Sequence, residues 1–136
     1  MLDQVAGKQI FSSLDTSQAF LSIKLSETSK HITTFICPEG SFEFNRLPFG
    51  LKVSPSLYSR LIHNALRKIA GSDLAIYLDD ILLASDNIDE HFDRLEQLFD
   101  AYIEAGLLLK PSKTKLFKGE IEFLGHIISH LSLIHI

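Results

Sequence analysis

The stretch AIYLDDILLAS, residues 75–85, sets two adjacent carboxylates, Asp79 and Asp80, between two apolar runs. It is too short for a helix of ordinary length and is flanked by polar segments, which favours a strand–turn–strand hairpin with its tip at Leu78 and Asp79. Tight hairpin turns prefer Asn-Gly or Asp-Gly, and neither is present here. The apolar flanks predict a hairpin that is covered on both faces. At least one carboxylate would then be desolvated, which is costly because no cationic residue lies nearby in the sequence to compensate its charge.

A bound metal ion would account for these charges, whereas an ordinary turn is the alternative. Carboxylates brought together raise one another's pKa unless a cation holds them, and hard divalent cations prefer oxygen ligands. Neighbouring strand residues point to opposite faces, so Asp79 and Asp80 need a third carboxylate from another strand. Asp15 is the best candidate, because its segment predicts a strand that stops at Asp15 before a polar turn over 15–18. Three carboxylates at strand ends can hold two Mg²⁺ ions, as in polymerase chemistry.

Two amphipathic helices are predicted on either side of the hairpin. The first has Ser54 as its cap, a proline in its first turn and its end at Gly71. The second begins at Asn87, with Glu90 completing a capping box, and ends before Gly106. The predicted apolar face of the second helix comprises Ile88, Phe92, Leu95, Phe99, Tyr102 and Ile103.

Other segments predict further strands. Residues 31–51 alternate apolar and polar side chains around the turn signal Pro38-Glu39-Gly40, which predicts a second hairpin. A basic connection over 107–120 leads to a β-rich run, 121–129, with Gly125 at a turn. No internal repeat or low-complexity linker is present, so one domain suffices.

Composition limits the class of protein. The 136 residues are 46% hydrophobic, with a mean hydropathy of +0.16, which fits a packed α/β or α+β domain. A net charge of -4 argues mildly against a nucleic-acid surface. The single cysteine, Cys37, excludes an internal disulfide, and neither a membrane span nor a secretory signal is evident. An intracellular location is therefore expected.

Four motifs in a fixed order carry a resemblance to a known family: LDTSQAF at 14–20, LPFGLKVSP at 47–55, YLDD at 77–80 and FLGH at 123–126. In order and spacing they resemble the palm of a reverse transcriptase, most closely that of a gypsy-type LTR-retrotransposon Pol polyprotein. The resemblance implies an α+β fold, a reverse-transcriptase-like palm whose antiparallel sheet is backed by helices, plus part of the fingers.

The same resemblance implies that residues 1–136 are a fragment of a reverse transcriptase domain and divides them into palm and fingers segments. It assigns about 1–22 to the palm, 23–53 to a fingers insertion and 54–130 to the palm again. Residues 131–136 form an atypical tail, which would fit a truncated reading frame.

Site residues are likewise implied by the resemblance. Asp15 and Asp79 would be the main metal ligands, with Asp80 a weaker third and the Thr16 carbonyl a further ligand. The cofactor would be two Mg²⁺ ions, for which Mn²⁺ could substitute. Phe20 aligns with the aromatic residue that lies under the sugar and leaves no room for a ribose 2′-hydroxyl, which implies deoxynucleotides. Core packing is the alternative for Phe20.

Further positions are assigned to the nucleotide, the primer and the template. Nucleotide-binding residues would be Phe49, Gly50 and Lys52. Primer or template contacts would come from Tyr77, Leu78, Phe123, Leu124, Gly125 and His126, with packing as the alternative for the two leucines. A basic cluster would contact phosphates or lie in a solvated loop, and it comprises Lys110, Lys113, Lys115 and Lys118.

These motifs together imply an RNA-directed DNA polymerase core that adds deoxynucleotides to a primer 3′-hydroxyl by two-metal chemistry. A catalytically incompetent remnant, or a nucleic-acid-binding fragment of such an element, is the alternative. The implied partners are an RNA or DNA template with primer, deoxynucleoside triphosphates, and the fingers, thumb and ribonuclease H segments that the chain lacks. No membrane partner is implied, and the expected location is the cytoplasm, a retrotransposon particle or the nucleus.

Overall fold

A computed structural model describes residues 5, 7–69, 71, 73–131 and 133–135. Its helices are α1 (Glu27–Lys30), α2 (Ser54–Ala65) and α3 (Ile88–Ala105), with short 3₁₀ turns at Phe20–Ser22 and His31–Thr33. Its strands are β1 (Ile10–Ser17), β2 (Phe35–Cys37), β3 (Gly40–Phe42), β4 (Leu74–Tyr77), β5 (Asp80–Ser85), β6 (Leu108–Leu109), β7 (Lys115–Lys118), β8 (Glu120–Phe123), β9 (His126–Ser129) and β10 (Leu133–His135).

Strand β1 is the centre of the main sheet. It pairs antiparallel with β5 along one edge and with β6 and β7 along the other, while β4 pairs with β5. The predicted antiparallel sheet is thus confirmed. The basic connection predicted over 107–120 contains two of its strands, which their short length and lysine content concealed.

The hairpin that carries the two aspartates is confirmed. Its arms are β4 and β5, Tyr77 pairs with Asp80, and Leu78 and Asp79 form the tip. Leu78 has a φ of +53°, a left-handed conformation that glycine or asparagine usually adopts in turns. A leucine keeps this conformation only where the surrounding structure holds it.

Alternation along β1 and β5 gives the main sheet two different faces. Leu14 and Ile81 point to one face and pack against α2 and α3. Phe11 and Leu82 point to the other face and pack against β8 and β9. Both faces of the hairpin are therefore covered, as its apolar flanks predicted. Helices back only one face, because the small sheet β8–β9–β10 covers part of the other.

Helix α2 differs from the prediction at both ends. Ser54 is the first helical residue rather than the cap. Its hydroxyl donates a hydrogen bond to the carbonyl of Pro48 at 3.0 Å. The helix ends at Ala65, because Leu66, with a ψ of 3°, leaves the helical region. The predicted end at Gly71 is therefore too late.

Helix α3 has the predicted ends but buries a different stripe. The Asn87 side chain accepts a hydrogen bond from the Glu90 amide at 2.9 Å, and Gly106 follows the helix with a φ of +66°. The predicted apolar face is partly wrong, since Ile88 and Phe92 are more than half exposed. The buried residues are His91, Leu95, Leu98 and Tyr102.

The predicted hairpin in the segment 31–51 is also confirmed. Strands β2 and β3 pair across Pro38 and Glu39, and Phe35 stacks on Phe42 with 6.0 Å between ring centroids. This hairpin is largely exposed. The predicted tail, 131–136, lies partly outside the described residues, and within it β10 pairs with β9. In the described part of the chain, no helix is both long and apolar enough to cross a bilayer.

Candidate active site

The pairing of β1 with β5 brings the predicted carboxylates to one end of the sheet. Asp15 and Asp80 are register partners, so their side chains point to the same face. The backbone N–H of Thr16 donates to the carbonyl of Asp79 at 3.0 Å, which ties the hairpin tip to β1. The three aspartates therefore become neighbours although 64 positions separate Asp15 from Asp79.

Asp15 does not end its strand, contrary to the prediction. Strand β1 continues to Ser17, because Thr16 and Ser17 pair with the two residues of β6. The turn begins at Gln18, which has a φ of +50°. Asp15 is thereby held by strand pairing on both sides, since its own carbonyl also accepts a hydrogen bond from the Lys110 amide at 2.9 Å.

Crowding of the carboxylates changes the acidity of Asp80. Partial burial raises its pKa above the ordinary value, and the negative charges of Asp79 and Asp15 raise it further. The positive charge of Lys113 has the opposite, smaller effect. Asp79 is exposed at the tip. The sequence argument that neighbouring carboxylates would resist ionisation therefore holds for Asp80.

Lys113 lies directly beside a predicted metal ligand. Its Nζ is 3.2 Å from Oδ2 of Asp15. A turn places it there, in which the amides of Lys113 and Thr114 donate to the Lys110 carbonyl at 3.0 and 3.1 Å. The sequence offered phosphate contacts or a solvated loop for this lysine, and in the structure its ammonium group balances the charge of Asp15.

The aspartates suit a divalent cation chemically but do not form a closed set of ligands. Among the described residues, no group of three or more His, Cys, Asp or Glu side chains is arranged to hold a metal ion. Asp15 and Asp80 are nevertheless opposite each other, and burial, followed by repulsion from the other two carboxylates, raises the pKa of Asp80. A divalent cation would remove that repulsion, and carboxylate oxygens are its preferred donors. Asp15 and Asp80 therefore offer oxygen donors of the kind that a divalent cation prefers.

The predicted nucleotide-binding residues are partly brought together. Phe20 follows β1 and contacts the ring of Phe49 edge-on, with 5.3 Å between centroids. On its other side it contacts Tyr58 at 5.9 Å. Gly50 has a φ of +87°, with open space where a Cβ would lie, so backbone conformation rather than crowding calls for glycine. Lys52, two positions after Gly50, is exposed to solvent.

The FLGH segment forms a hairpin that faces the carboxylates. Leu124 and Gly125 make its tip, with φ of +51° and +72°. Nδ1 of His126 is 2.9 Å from the Leu124 carbonyl, and Phe123 is buried in the sheet's second core. A cleft of about 320 Å³ separates this hairpin from Asp15 and Asp80, and Lys113 also lines it.

The other predicted primer contacts, Tyr77 and Leu78, are partly exposed at the tip of the β4–β5 hairpin. Tyr77 is the register partner of Asp80. A larger cleft, of about 560 Å³, lies between α2 and α3 and is lined by none of the predicted site residues. The smaller cleft is thus the one that brings Asp15 and Asp80 together with Phe123 and Leu124 of the predicted primer contacts.

Sequence reasoning missed the polar contacts behind the carboxylates. Thr16 Oγ1 is 2.8 Å from the hydroxyl of Tyr102, and His91 contacts Ser12 at 2.7 Å. Hydrophobic periodicity treated Tyr102 as an apolar residue and gave no weight to His91. The only available signal was the presence of a histidine and a tyrosine at helical spacing, which does not identify their partners.

Three comparisons place this geometry among known proteins. The family model described as reverse transcriptase (RNA-dependent DNA polymerase) matches residues 1–128. The enzymatic polyprotein of cauliflower mosaic virus (strain D/H) is 34% identical over 144 residues, covering 97% of this chain and 21% of that protein. The retrovirus-related Pol polyprotein from transposon 297 of Drosophila melanogaster is 33% identical over 132 residues, covering 94% and 12%.

A solved structure agrees with the sequence comparisons. The foamy viral protease-reverse transcriptase in complex with RNA/DNA hybrid superposes with a TM-score of 0.89 at 28% identity. The match covers 97% of this chain and 18% of that one. The chain thus spans about a fifth or less of the length of these relatives. The predicted resemblance and fold class are confirmed.

Proposed function

The chain belongs to the reverse transcriptase family, and from that premise we propose that it is the catalytic core of an RNA-directed DNA polymerase. Such a core adds deoxynucleotides to a primer 3′-hydroxyl under the direction of a template. The observation that carries the proposal is the pairing of Asp15 with Asp80 beside the Asp79 tip, at the edge of a charged cleft.

In this proposal Asp15 and Asp79 are the main ligands of two divalent cations, with Asp80 and the Thr16 carbonyl as weaker ones. The bound ions would promote attack by the primer 3′-hydroxyl and stabilise the pyrophosphate leaving group. Before they bind, Lys113 balances the charge of Asp15 across 3.2 Å. Burial and the charges of Asp79 and Asp15 raise the pKa of Asp80, which supports a cation beside this carboxylate.

Phe20 would select deoxynucleotides by occupying the space that a ribose 2′-hydroxyl requires. Its edge-on contacts with Phe49 and Tyr58 support this role, because a ring held on two sides cannot easily move away from a sugar. Phe49, Gly50 and Lys52 would line the same nucleotide pocket.

Primer and template would occupy the cleft between the aspartates and the FLGH hairpin. The similar foamy viral structures are described as complexes with double-stranded DNA or an RNA/DNA hybrid. We propose the same class of partner for this chain, with Tyr77, Leu78 and residues 123–126 near the primer end. Such an enzyme would act inside the cell, in the cytoplasm, a retrotransposon particle or the nucleus.

Primer extension tests the proposal. A protein that extends the chain through flanking polyprotein segments should add deoxynucleotides to a primer on an RNA template with Mg²⁺ or Mn²⁺. Asp79→Asn should abolish this, whereas Asp93→Asn, the same change at an exposed position of α3, should not. Extension that persists in Asp79→Asn would contradict the assignment of the metal ligands.

A second candidate function is nucleic-acid binding without catalysis, as in a remnant of such an element. Two basic residues favour it, because Lys115 of β7 and Lys113 of the preceding turn line the cleft together with Asp15. Template–primer binding by the extended protein, without extension in either metal, would support this candidate and exclude the polymerase.

A further inference from the structure

Three buried hydroxyl groups lie directly behind the proposed catalytic aspartates. Because side chains alternate along β1, Asp15 faces the cleft while Thr16 faces helices α2 and α3. Tyr58 of α2 and Tyr102 of α3 approach Thr16 from that side. All three residues are almost completely buried, at 3%, 0% and 2% exposure for Thr16, Tyr58 and Tyr102. The cluster is therefore shielded from water.

Thr16 connects helix α3 to the hairpin tip through two hydrogen bonds. Its hydroxyl shares one with the Tyr102 hydroxyl at 2.8 Å. Its backbone N–H donates the other to the carbonyl of Asp79 at 3.0 Å. A side chain on the far side of the sheet is thus two hydrogen bonds away from a proposed metal ligand.

Tyr58 and Tyr102 both approach Thr16, but their hydroxyl groups differ in hydrogen bonding. Burial raises the pKa of Tyr58, and the nearby Thr16 hydroxyl partly offsets this effect. The Tyr58 hydroxyl nevertheless has no hydrogen-bond partner of good geometry among the described residues. Its ring packs against Phe20. Tyr58 therefore provides a matched control, a buried tyrosine whose hydroxyl lies near Thr16 but makes no hydrogen bond to it of good geometry.

The tip needs an external support because its own sequence does not favour its shape. Leu78 has a φ of +53°, which a side chain beyond glycine adopts at a cost in free energy. The backbone N–H of Thr16 donates a hydrogen bond to the carbonyl of the tip residue Asp79. The hydrogen bond from Thr16 is therefore placed to support the tip at Asp79.

We infer that Tyr102 is a positioning residue of this site. Its hydroxyl holds Thr16, and Thr16 holds the carbonyl of Asp79, so α3 controls how firmly the tip stays against Asp15. The inference rests on the proposed function only in its consequence for metal binding. The structural link itself exists with or without a metal.

Amide hydrogen exchange of the 136-residue chain tests the link without any metal. Tyr102→Phe should speed exchange of the Thr16 amide by about fivefold, the effect of losing one hydrogen bond, relative to other amides of β1 and β5. Thr16→Val should have a similar effect, and the double variant should add little, because both changes break one bond. Tyr58→Phe should leave the Thr16 amide within about twofold of the wild type, since an unpartnered hydroxyl is lost.

Binding of Mn²⁺, followed by water-proton relaxation, tests the consequence. Tyr102→Phe should weaken Mn²⁺ binding by about fivefold, whereas Tyr58→Phe should not. Equal effects of the two tyrosine variants, or faster exchange spread evenly over β1 and β5 in Tyr102→Phe, would overturn the inference, because a general loss of packing would then explain both. Mn²⁺ affinity that is unchanged by Asp79→Asn would instead refute the metal assignment, and the exchange at Thr16 would still decide the role of Tyr102.

Discussion

The two faces of the main sheet satisfy their polar groups in different ways. On the helix-covered face, His91 shares hydrogen bonds with Ser12 and Ser85, and all three side chains are fully buried. On the cleft face, Asp15 and Asp80 stand opposite each other beside the exposed Lys113. The same two strands supply both sets by alternation. Alternation along the two strands thereby separates the groups that hold the fold from the groups proposed for chemistry, because the two sets lie on opposite faces of the sheet.

His91 is the central polar residue of the helix-covered face. Its Nε2 is 2.7 Å from the Ser12 hydroxyl oxygen, and its Nδ1 pairs with the Ser85 hydroxyl. The Ser12 oxygen also accepts a hydrogen bond from the Phe117 amide at 3.0 Å. A neutral imidazole has one donor and one acceptor, so each serine can meet one nitrogen. Burial lowers the pKa of His91, which favours that neutral form.

The largest effect is expected on the cleft face and should change activity without changing stability. Asp15→Asn in the extended polymerase should reduce primer extension by on the order of a thousandfold, because a metal ligand is lost. Its exposed ion pair with Lys113 contributes less than about 1 kcal/mol, so urea unfolding should hardly change. Glu122→Gln alters another carboxylate of the same cleft and should remain active. A large loss of unfolding free energy in Asp15→Asn would contradict this prediction, because the cleft face would then also be needed for stability.

A change on the helix-covered face should have the opposite signature. His91→Phe should lower the free energy of unfolding by about 2–3 kcal/mol, because it leaves the buried hydroxyls of Ser12 and Ser85 without this partner. Urea denaturation of the 136-residue chain measures the loss. His63→Phe is the matched control at an exposed position of α2 and should change stability by less than about 0.5 kcal/mol. Similar losses of unfolding free energy in both variants would show that the buried hydrogen bonds of His91 do not contribute specifically to stability.

The pH dependence of stability should sharpen the same contrast. Because the pKa of His91 is lowered from 6.5 in the folded chain, the unfolded chain binds a proton more readily. The stability that His91 contributes is therefore complete above about pH 6.5 and is lost as the pH falls toward the lowered pKa. Asp80 has a raised pKa and so contributes the opposite slope, from about pH 3.8 upward.

Urea midpoints at several pH values separate these two contributions. The wild-type chain should lose stability between about pH 7 and pH 5.5, and His91→Phe should lose less over the same interval. Asp80→Asn should keep the wild-type loss there, because it does not touch His91. An identical pH slope in wild type and His91→Phe would show that the buried imidazole does not control it.

Local patterns were enough to predict the elements that carry the proposed site. Apolar runs on either side of Asp79 and Asp80 predicted the hairpin, and Asn87 with Gly106 predicted the ends of α3. Strand alternation demanded a third carboxylate, and Asp15 does pair with the hairpin, although it was chosen for a strand end that the structure places at Ser17. These successes rest on short-range chemistry, namely alternation, capping and turn residues.

Contacts between distant segments could not be read from such patterns. The Lys113–Asp15 pair joins positions 98 apart, and the Thr16–Tyr102 pair joins positions 86 apart. A polar residue such as His91 is buried only because the sheet supplies partners, so hydrophobic periodicity favoured Phe92 instead. The missed features are thus those whose stability depends on tertiary partners, on both faces of the sheet.

The smallest expected effect concerns the charge balance of the cleft face. Lys113→Gln removes the ammonium group beside Asp15, so a divalent cation no longer competes with it, and Mn²⁺ affinity should rise by about threefold, the size expected for an exposed ion pair. Lys115→Gln removes the same charge from the same cleft without breaking the Asp15 pair and should raise affinity less. Equal increases would mean that Lys113 acts only through the overall potential. A larger increase for Lys113→Gln would mean that the lysine ammonium group neutralises Asp15 on the cleft face until a metal ion displaces it. The helix-covered face, in contrast, satisfies its polar groups with permanent hydrogen bonds.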